Sequence, residues 1–151
     1  MLSSRELTQA DFPFFEDLIT YSPSWQEEEC HLETIDAYML KYKMLNGRWL
    51  VWSCNSKQIG ISFTVAWSPA NEKPWIGTIL IHPNERMKGF ASTIIDHICE
   101  GFRQSGEKAV FAGCPINQNE WIKFLANCQF EQFKVERDDL GKEYSILVRP
   151  L

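Results

Sequence analysis

The stretch Trp75-Ile-Gly-Thr-Ile-Leu-Ile-His-Pro-Asn-Glu-Arg86-Met-Lys-Gly89-Phe-Ala91 carries the residue types best suited to gripping an anion. Its first half reads as a strand. From Gly89 the apolar spacing changes from two to 3.6, so a loop feeds a helix there. The first turn of a helix leaves backbone N–H groups without partners, and the aligned peptide dipoles put partial positive charge on them. Gly89 has no side chain and Ala91 a minimal one, so a ligand can approach those amides closely. Arg86 and Lys88 add two full charges beside the same spot. Together they suit a pyrophosphate.

Other reactive side chains are scattered. The five cysteines (Cys30, Cys54, Cys99, Cys114, Cys128) are odd in number, with no CxxC pair and no Cys/His spacing of zinc type. They read as small apolar side chains in a reducing compartment, so neither a disulfide framework nor a metal is expected. His31 and His97 fall on expected helices without a partner visible in sequence. Trp25, Trp49, Trp52, Trp67 and Trp75 could frame a pocket. Trp49 and Trp52 have opposite parity in one strand and cannot share a face, so core or hairpin packing explains most of these tryptophans.

The elements that must position the anion-binding segment follow from periodicity and turn chemistry. A strand over Ser4–Thr8 opens the chain, and Thr8-Gln-Ala-Asp11 caps a helix carrying Phe12, Phe15, Leu18 and Ile19. Ser24-Trp-Gln-Glu27 is a second capping box, ahead of Leu32, Ile35, Met39 and Tyr42. After the Asn46-Gly47 turn come strands at Arg48–Cys54, Gln58–Trp67 and Pro74–Ile81, the first two forming a hairpin. Ala91, Ile94, Ile95, Ile98 and Phe102 make one helical stripe that Ser105-Gly106 stops. A strand at Lys108–Cys114, a helix at Asn119–Cys128 and strands at Phe130–Glu136 and Glu143–Arg149 complete the chain; the last alternates Tyr144, Ile146 and Val148. The order is β-α-α-β-β-β-α-β-α-β-β, a mixed α/β domain spanning residues 1–151.

Composition narrows the possible functions. At 151 residues with 44% apolar and 23% charged side chains, the chain can bury a core without staples and is not disordered. Fifteen Lys+Arg against 20 Asp+Glu give a net charge of −5, which argues against a nucleic-acid partner. The N-terminus meets charge and polarity at once, without a signal-peptide core, and no apolar run is long enough to span a bilayer. A soluble, cytoplasmic protein with no membrane partner is expected.

The sextet Arg86-Met-Lys-Gly89-Phe-Ala91 resembles the R/Q-x-x-G-x-G/A coenzyme A signature of the GNAT (general N-acetyltransferase) superfamily. Ile79-Leu-Ile-His-Pro resembles that family's central strand and its exit, and Asn119…Phe124…Gln129-Phe130 its second motif more weakly. The order of elements is similar over nearly the whole chain. The resemblance implies a mixed sheet splayed between the fourth and fifth strands, acetyl-CoA or another acyl-CoA as co-substrate, and an amine of a small molecule or peptide as acceptor. It implies direct attack of the neutral amine within a ternary complex, with no acyl-enzyme. Ile79, Leu80 and Ile81 would offer backbone groups to the pantetheine arm. Arg86 and the amides matching Met87, Lys88, Gly89, Phe90, Ala91 and Ser92 would take the pyrophosphate. Asn119 (or Asn117) and Phe124 would flank the pantetheine, and Cys114 could line the acetyl pocket, although core packing is its commoner role. Glu16, Asp17, Glu27, Glu28, Glu29, Glu33 and Asp36 lie on the two early helices, which wall the acceptor site in similar proteins and so favour a cationic amine. Glu27–Glu29 also have a simpler reading, as acids in a first helical turn. Homodimers are common among such proteins.

Three positions depart from the pattern. Gly77 stands where many relatives place a catalytic carboxylate, Leu125 where a tyrosine acid is common, and Gln129-Phe130 replaces a "GF". Acid–base help contributes about 10²–10⁴-fold, whereas orienting amine and thioester supplies effective molarities of about 10⁵ M or more. Turnover can therefore survive the loss. Glu72, His82 and Glu85 are the candidate bases acting through water, each with an ordinary surface or turn role as well. Tyr21, Tyr38, Tyr42 and Tyr144 are the candidate acids, Tyr144 being in the better region. The alternatives are an acyl-CoA-binding sensor domain without turnover, and an interaction protein that has kept only the fold.

Overall fold

The computed structural model describes residues 2–22 and 47–151. The capping box at Ser24, its helix and every candidate between Trp25 and Tyr42 lie outside the described residues. Among the described residues the order is β1 (Leu2–Glu6), a 3-10 turn (Gln9–Asp11), α1 (Phe12–Thr20), β2 (Gly47–Cys54), β3 (Lys57–Val65) and β4 (Trp75–Ile81). A second 3-10 turn (Pro83–Glu85), α2 (Phe90–Gln104), β5 (Ala109–Pro115), α3 (Asn119–Asn127), β6 (Glu131–Arg137) and β7 (Glu143–Pro150) follow. The strands form one mixed sheet in the order β1-β2-β3-β4-β5-β7-β6. β4 and β5 run parallel, paired at Trp75↔Phe111 and Ile76↔Ala112, so the ladder between the fourth and fifth strands is short. Contacts divide the chain into two compact units, Met1–Val65 with Thr78–Ile94, and Ala66–Gly77 with Ile95–Leu151.

In the first unit, the 3-10 turn Gln9–Asp11 carries a capping box and runs directly into α1, whose apolar residues share a face. The Asp11 carboxylate accepts from the Thr8 N–H at 2.8 Å, and Pro13 supplies a preset φ in the first turn. Phe15, Leu18 and Ile19 are fully buried against Trp49, Val51, Ile61, Phe63 and Leu80. The Trp49 ring lies 5.2 Å from Phe15 and 4.7 Å from Phe63. The parity argument holds: Trp49 and Trp52 are both buried, on opposite faces, and Trp52 donates its Nε1–H to the buried Ser62 hydroxyl at 2.8 Å. Asn55 and Ser56, with φ of 52° and 70°, make the two-residue turn of the β2–β3 hairpin and set Lys57 opposite Cys54. A Cβ at Gly60 would collide with the Leu80 carbonyl, so only glycine lets β3 approach β4 there.

In the second unit, β7 runs between β5 and β6 in antiparallel registers. The expected alternation is present, but Ser145 and Leu147 on the other face are the more deeply buried, with Tyr144 and Val148 only half-covered. A strand between two strands can bury both faces, and apolar alternation alone cannot say which is deeper. Phe133 is an extra residue in β6, since the register shifts between Gln132 and Lys134. Trp75 then stacks on Phe111 with centroids 5.5 Å apart, and Phe133 meets Phe111 edge-to-face at 6.0 Å. The expected strand ends move by one or two residues, as at β1, which starts at Leu2.

The exits of α2 and α3 close as paired turns. After α2, Glu107 N–H donates to Phe102 and Gly106 N–H to Arg103, with Gly106 at φ 91°. After α3, Phe130 N–H donates to Leu125 and Gln129 N–H to Ala126, with Gln129 at φ 71°. Gln129 thus occupies a backbone conformation that glycine adopts without steric cost. Gln129→Gly should raise stability by about 0.5–1 kcal/mol, read as a higher urea midpoint at unchanged slope.

Asp11 ties β1 to α1. Its carboxylate receives both Arg5 guanidinium nitrogens at 2.8 and 2.7 Å and is only 4% exposed. The Arg5 bonds, with help from the Thr8 N–H, outweigh burial and lower its pKa from 3.8 to about 2. A depressed carboxylate stabilises the fold above its unfolded pKa and ceases to as pH falls through its folded one. Wild type should therefore lose stability on acidification from about pH 4 towards 2. Asp11→Asn should be weaker by about 1–3 kcal/mol at neutral pH and lack that component of the acid transition; an identical acid profile would contradict the assignment.

Candidate anion-binding site

The site is built on the turn that carries β4 into α2. β4 ends at Ile81, and the His82 N–H donates to the Ile59 carbonyl of β3 at 2.8 Å. Pro83–Glu85 make one 3-10 turn, capped by the His82 ring, whose Nδ1 accepts from the Asn84 N–H at 3.2 Å. Arg86 is extended, Met87 left-handed at φ 64° and Gly89 left-handed at φ 82°. Left-handed φ at Gly89 is what a side chain would resist. Space is not the constraint, because a Cβ there would meet nothing within 4 Å.

The Gly89 carbonyl accepts the first bond of α2, from the Thr93 N–H at 3.1 Å. The Thr93 and Ser92 hydroxyls donate to the same carbonyl at 2.9 and 3.1 Å, so neither serves as an N-terminal cap. Among the described residues, nothing accepts from the N–H groups of Met87, Lys88, Gly89, Phe90, Ala91 or Ser92. Six consecutive peptide donors are thus bare among the described residues, at the positive end of a 15-residue helix. Such a run fits a diphosphate.

The charged side chains are arranged differently from the expectation. Arg86 does not stand free: its Nε donates to the Ile81 carbonyl at 2.9 Å, and its Nη2 to the Tyr21 carbonyl and Ser22 hydroxyl at 2.9 and 3.1 Å. It clasps the end of β4 to the end of α1. Lys88 reaches the Glu85 carboxylate at 3.3 Å, and Lys57 holds the other oxygen at 2.6 Å. Glu85 is 5% exposed, and the Lys57 ammonium first, then Lys88, holds its carboxyl below the usual range. A carboxylate so paired is a poor proton acceptor near neutral pH. Among the described residues of this unit, His82 keeps an uncommitted ring nitrogen, Nε2, with the Tyr21 ring 6.2 Å away.

Ile79, Leu80, Ile81 and Arg86–Ser92 thus come together in the first unit. Asn119, Phe124, Glu72 and Tyr144 belong to the second. Asn119 opens α3 and is exposed, and Phe124 stacks on Trp121 at 4.8 Å. Glu72 is a turn residue at φ 61°, and Tyr144 lies in β7 with the Lys142 ammonium 5.7 Å from its ring. Burial pushes the Cys114 thiol up to about 11, so it is protonated at neutral pH and weakly nucleophilic. Among the described residues, no group of three or more His, Cys, Asp or Glu could hold a metal ion, and no helix is long and apolar enough to cross a membrane.

Comparison with known proteins agrees with this architecture. The model of the Acetyltransferase (GNAT) family matches residues 5–130, and the chain belongs to that family. It is 46% identical over 136 residues to the uncharacterized protein YkzC of Bacillus subtilis (strain 168), covering 90% of this chain and 95% of that one. Among solved structures, an acetyltransferase from Thermus thermophilus superposes with a TM-score of 0.78 at 18% identity, covering 100% of this chain and 97% of that one. A chimera of the Vibrio cholerae spermidine N-acetyltransferase SpeG with hSSAT gives 0.78 at 16% identity, covering 99% and 95%.

The clasp makes Arg86 a stability residue. Arg86→Met should cost about 1–2 kcal/mol, because it removes charged donors from the Ile81 and Tyr21 carbonyls. A chemical denaturation curve superimposable on wild type would show that the clasp contributes nothing.

Proposed function

We propose that the protein transfers an acetyl group from acetyl-CoA to an amine. The observation that carries this is the run of six peptide N–H groups from Met87 to Ser92 that are unpaired among the described residues, on a chain that belongs to an acetyltransferase family. Those donors and the helix dipole hold the diphosphate, and Lys88 adds a mobile charge. The β4 residues Ile79–Ile81 run along the pantetheine arm. The roles of Asn119 and Phe124 rest on the family resemblance alone. When bound, the donor supplies an activated thioester; the protein orients it and keeps the attacking amine neutral and close.

Orientation carries most of the rate. Gly77 has no side chain and Leu125 is 2% exposed in the core, so neither moves a proton. A thiol of pKa about 8.5 leaves without much acid assistance. Neither His82 nor Glu85 is a ready base: the His82 ring accepts the Asn84 N–H at Nδ1, which puts its own proton on Nε2 in the neutral ring, and Glu85 is held by two lysines. The exposed acids Glu16 and Asp17 on α1 favour a cationic acceptor, and a fold neighbour is a spermidine N-acetyltransferase; polyamines therefore head the panel. The missing proton-handling side chains favour a second reading, a CoA-binding domain without turnover.

Calorimetry with coenzyme A, then thiol release from acetyl-CoA over a panel of amines, separates the two. Binding with release above hydrolysis for at least one amine is expected; binding with no release favours the sensor, and no binding overturns both. Gly89→Asn, which tolerates the left-handed backbone, should keep most of the affinity for CoA. Gly89→Glu should lose at least about tenfold, since it adds strain and a negative charge at the donors. Equal affinity in wild type and Gly89→Glu would place the diphosphate elsewhere.

A further inference from the structure

Resting on the donor site proposed above, we propose that Lys57 is a positioning residue for the donor: by neutralising Glu85 it leaves the Lys88 ammonium available to the diphosphate. Glu85 presents a liability to an anion site. Its side chain is 6% exposed, and it sits one residue before Arg86, at the start of the loop whose amides are bare. Unpaired, its carboxylate would repel a diphosphate and draw Lys88 to itself.

Lys57 changes that balance from across the unit. It is the first residue of β3, fixed by the two-residue Asn55-Ser56 turn, and reaches one Glu85 oxygen at 2.6 Å. Lys88 holds the other oxygen at the longer distance of 3.3 Å. One carboxylate against two ammonium groups leaves one net positive charge, carried by the more loosely held partner. When a diphosphate arrives, Lys88 can turn to it without stranding a buried charge, because Glu85 keeps Lys57. Without Lys57 the local charge is zero and Lys88 is committed.

The test measures the affinity of CoA and of pantetheine, which lacks the diphosphate, for wild type, Lys57→Met, Glu85→Gln and the double variant. Lys57 is exposed, so its replacement should fold. Lys57→Met should weaken CoA by about three- to tenfold, less as salt is added, and leave pantetheine unchanged. Glu85→Gln should bind CoA at least as well as wild type, and the double variant should behave like Glu85→Gln. A simple loss of structure would weaken both ligands and both single variants alike, and that result would overturn the inference, as would Lys57→Met with wild-type affinity for CoA. Absence of CoA binding by wild type would instead overturn the donor site itself, and the inference with it.

Discussion

A single left-handed backbone step at Gly89 controls what the first unit can bind. At φ 82° the chain leaves the loop and enters α2 at once, and its carbonyl is taken by Thr93 and by two hydroxyls. Those hydroxyls point backwards, so nothing from the helix itself caps its first amides. Such donors are usually satisfied by a serine or aspartate side chain. Here the residue at that position is Gly89, which has no side chain, and among the described residues the donors are left bare. The same step disfavours a side chain on backbone grounds even though the space beside it is open.

The second requirement is electrostatic. The chain carries a net charge of −5, so an anion must find local positive potential against an unfavourable background. That potential comes from the helix terminus and Lys88, while Arg86 is committed to the frame. By joining the carbonyls of Ile81 and Tyr21, Arg86 fixes the end of the strand along which a thioester arm is proposed to lie. Met87, also left-handed but without glycine's freedom, stores some strain in the same loop.

Local features are legible in the sequence and tertiary ones are not. The capping box at Thr8, the change from loop to helix at Gly89, the hairpin, and the stripes on α1 and α2 all depend on residues within a few positions of each other. Gln129, a departure from the family pattern, sits where the backbone of a helix exit is left-handed, which explains why glycine suits that place. By contrast, Lys57 and Glu85 are separated by a strand and a loop, and only the folded sheet brings their charges together. Arg86 reads in sequence as a ligand for phosphate because its spacing matches; its engagement with Tyr21 and Ser22 depends on where α1 ends in space. The deeper burial of Ser145 and Leu147 likewise follows from the position of β7 between two strands, which alternation does not encode.

The most direct check on the bare amides is to watch them. In a ¹H–¹⁵N correlation titration with coenzyme A, the N–H resonances of Met87 through Ser92 should move together and furthest, as hydrogen bonds to phosphate oxygens form. Resonances that stay in place while CoA binds and perturbs another region would contradict the account at its root.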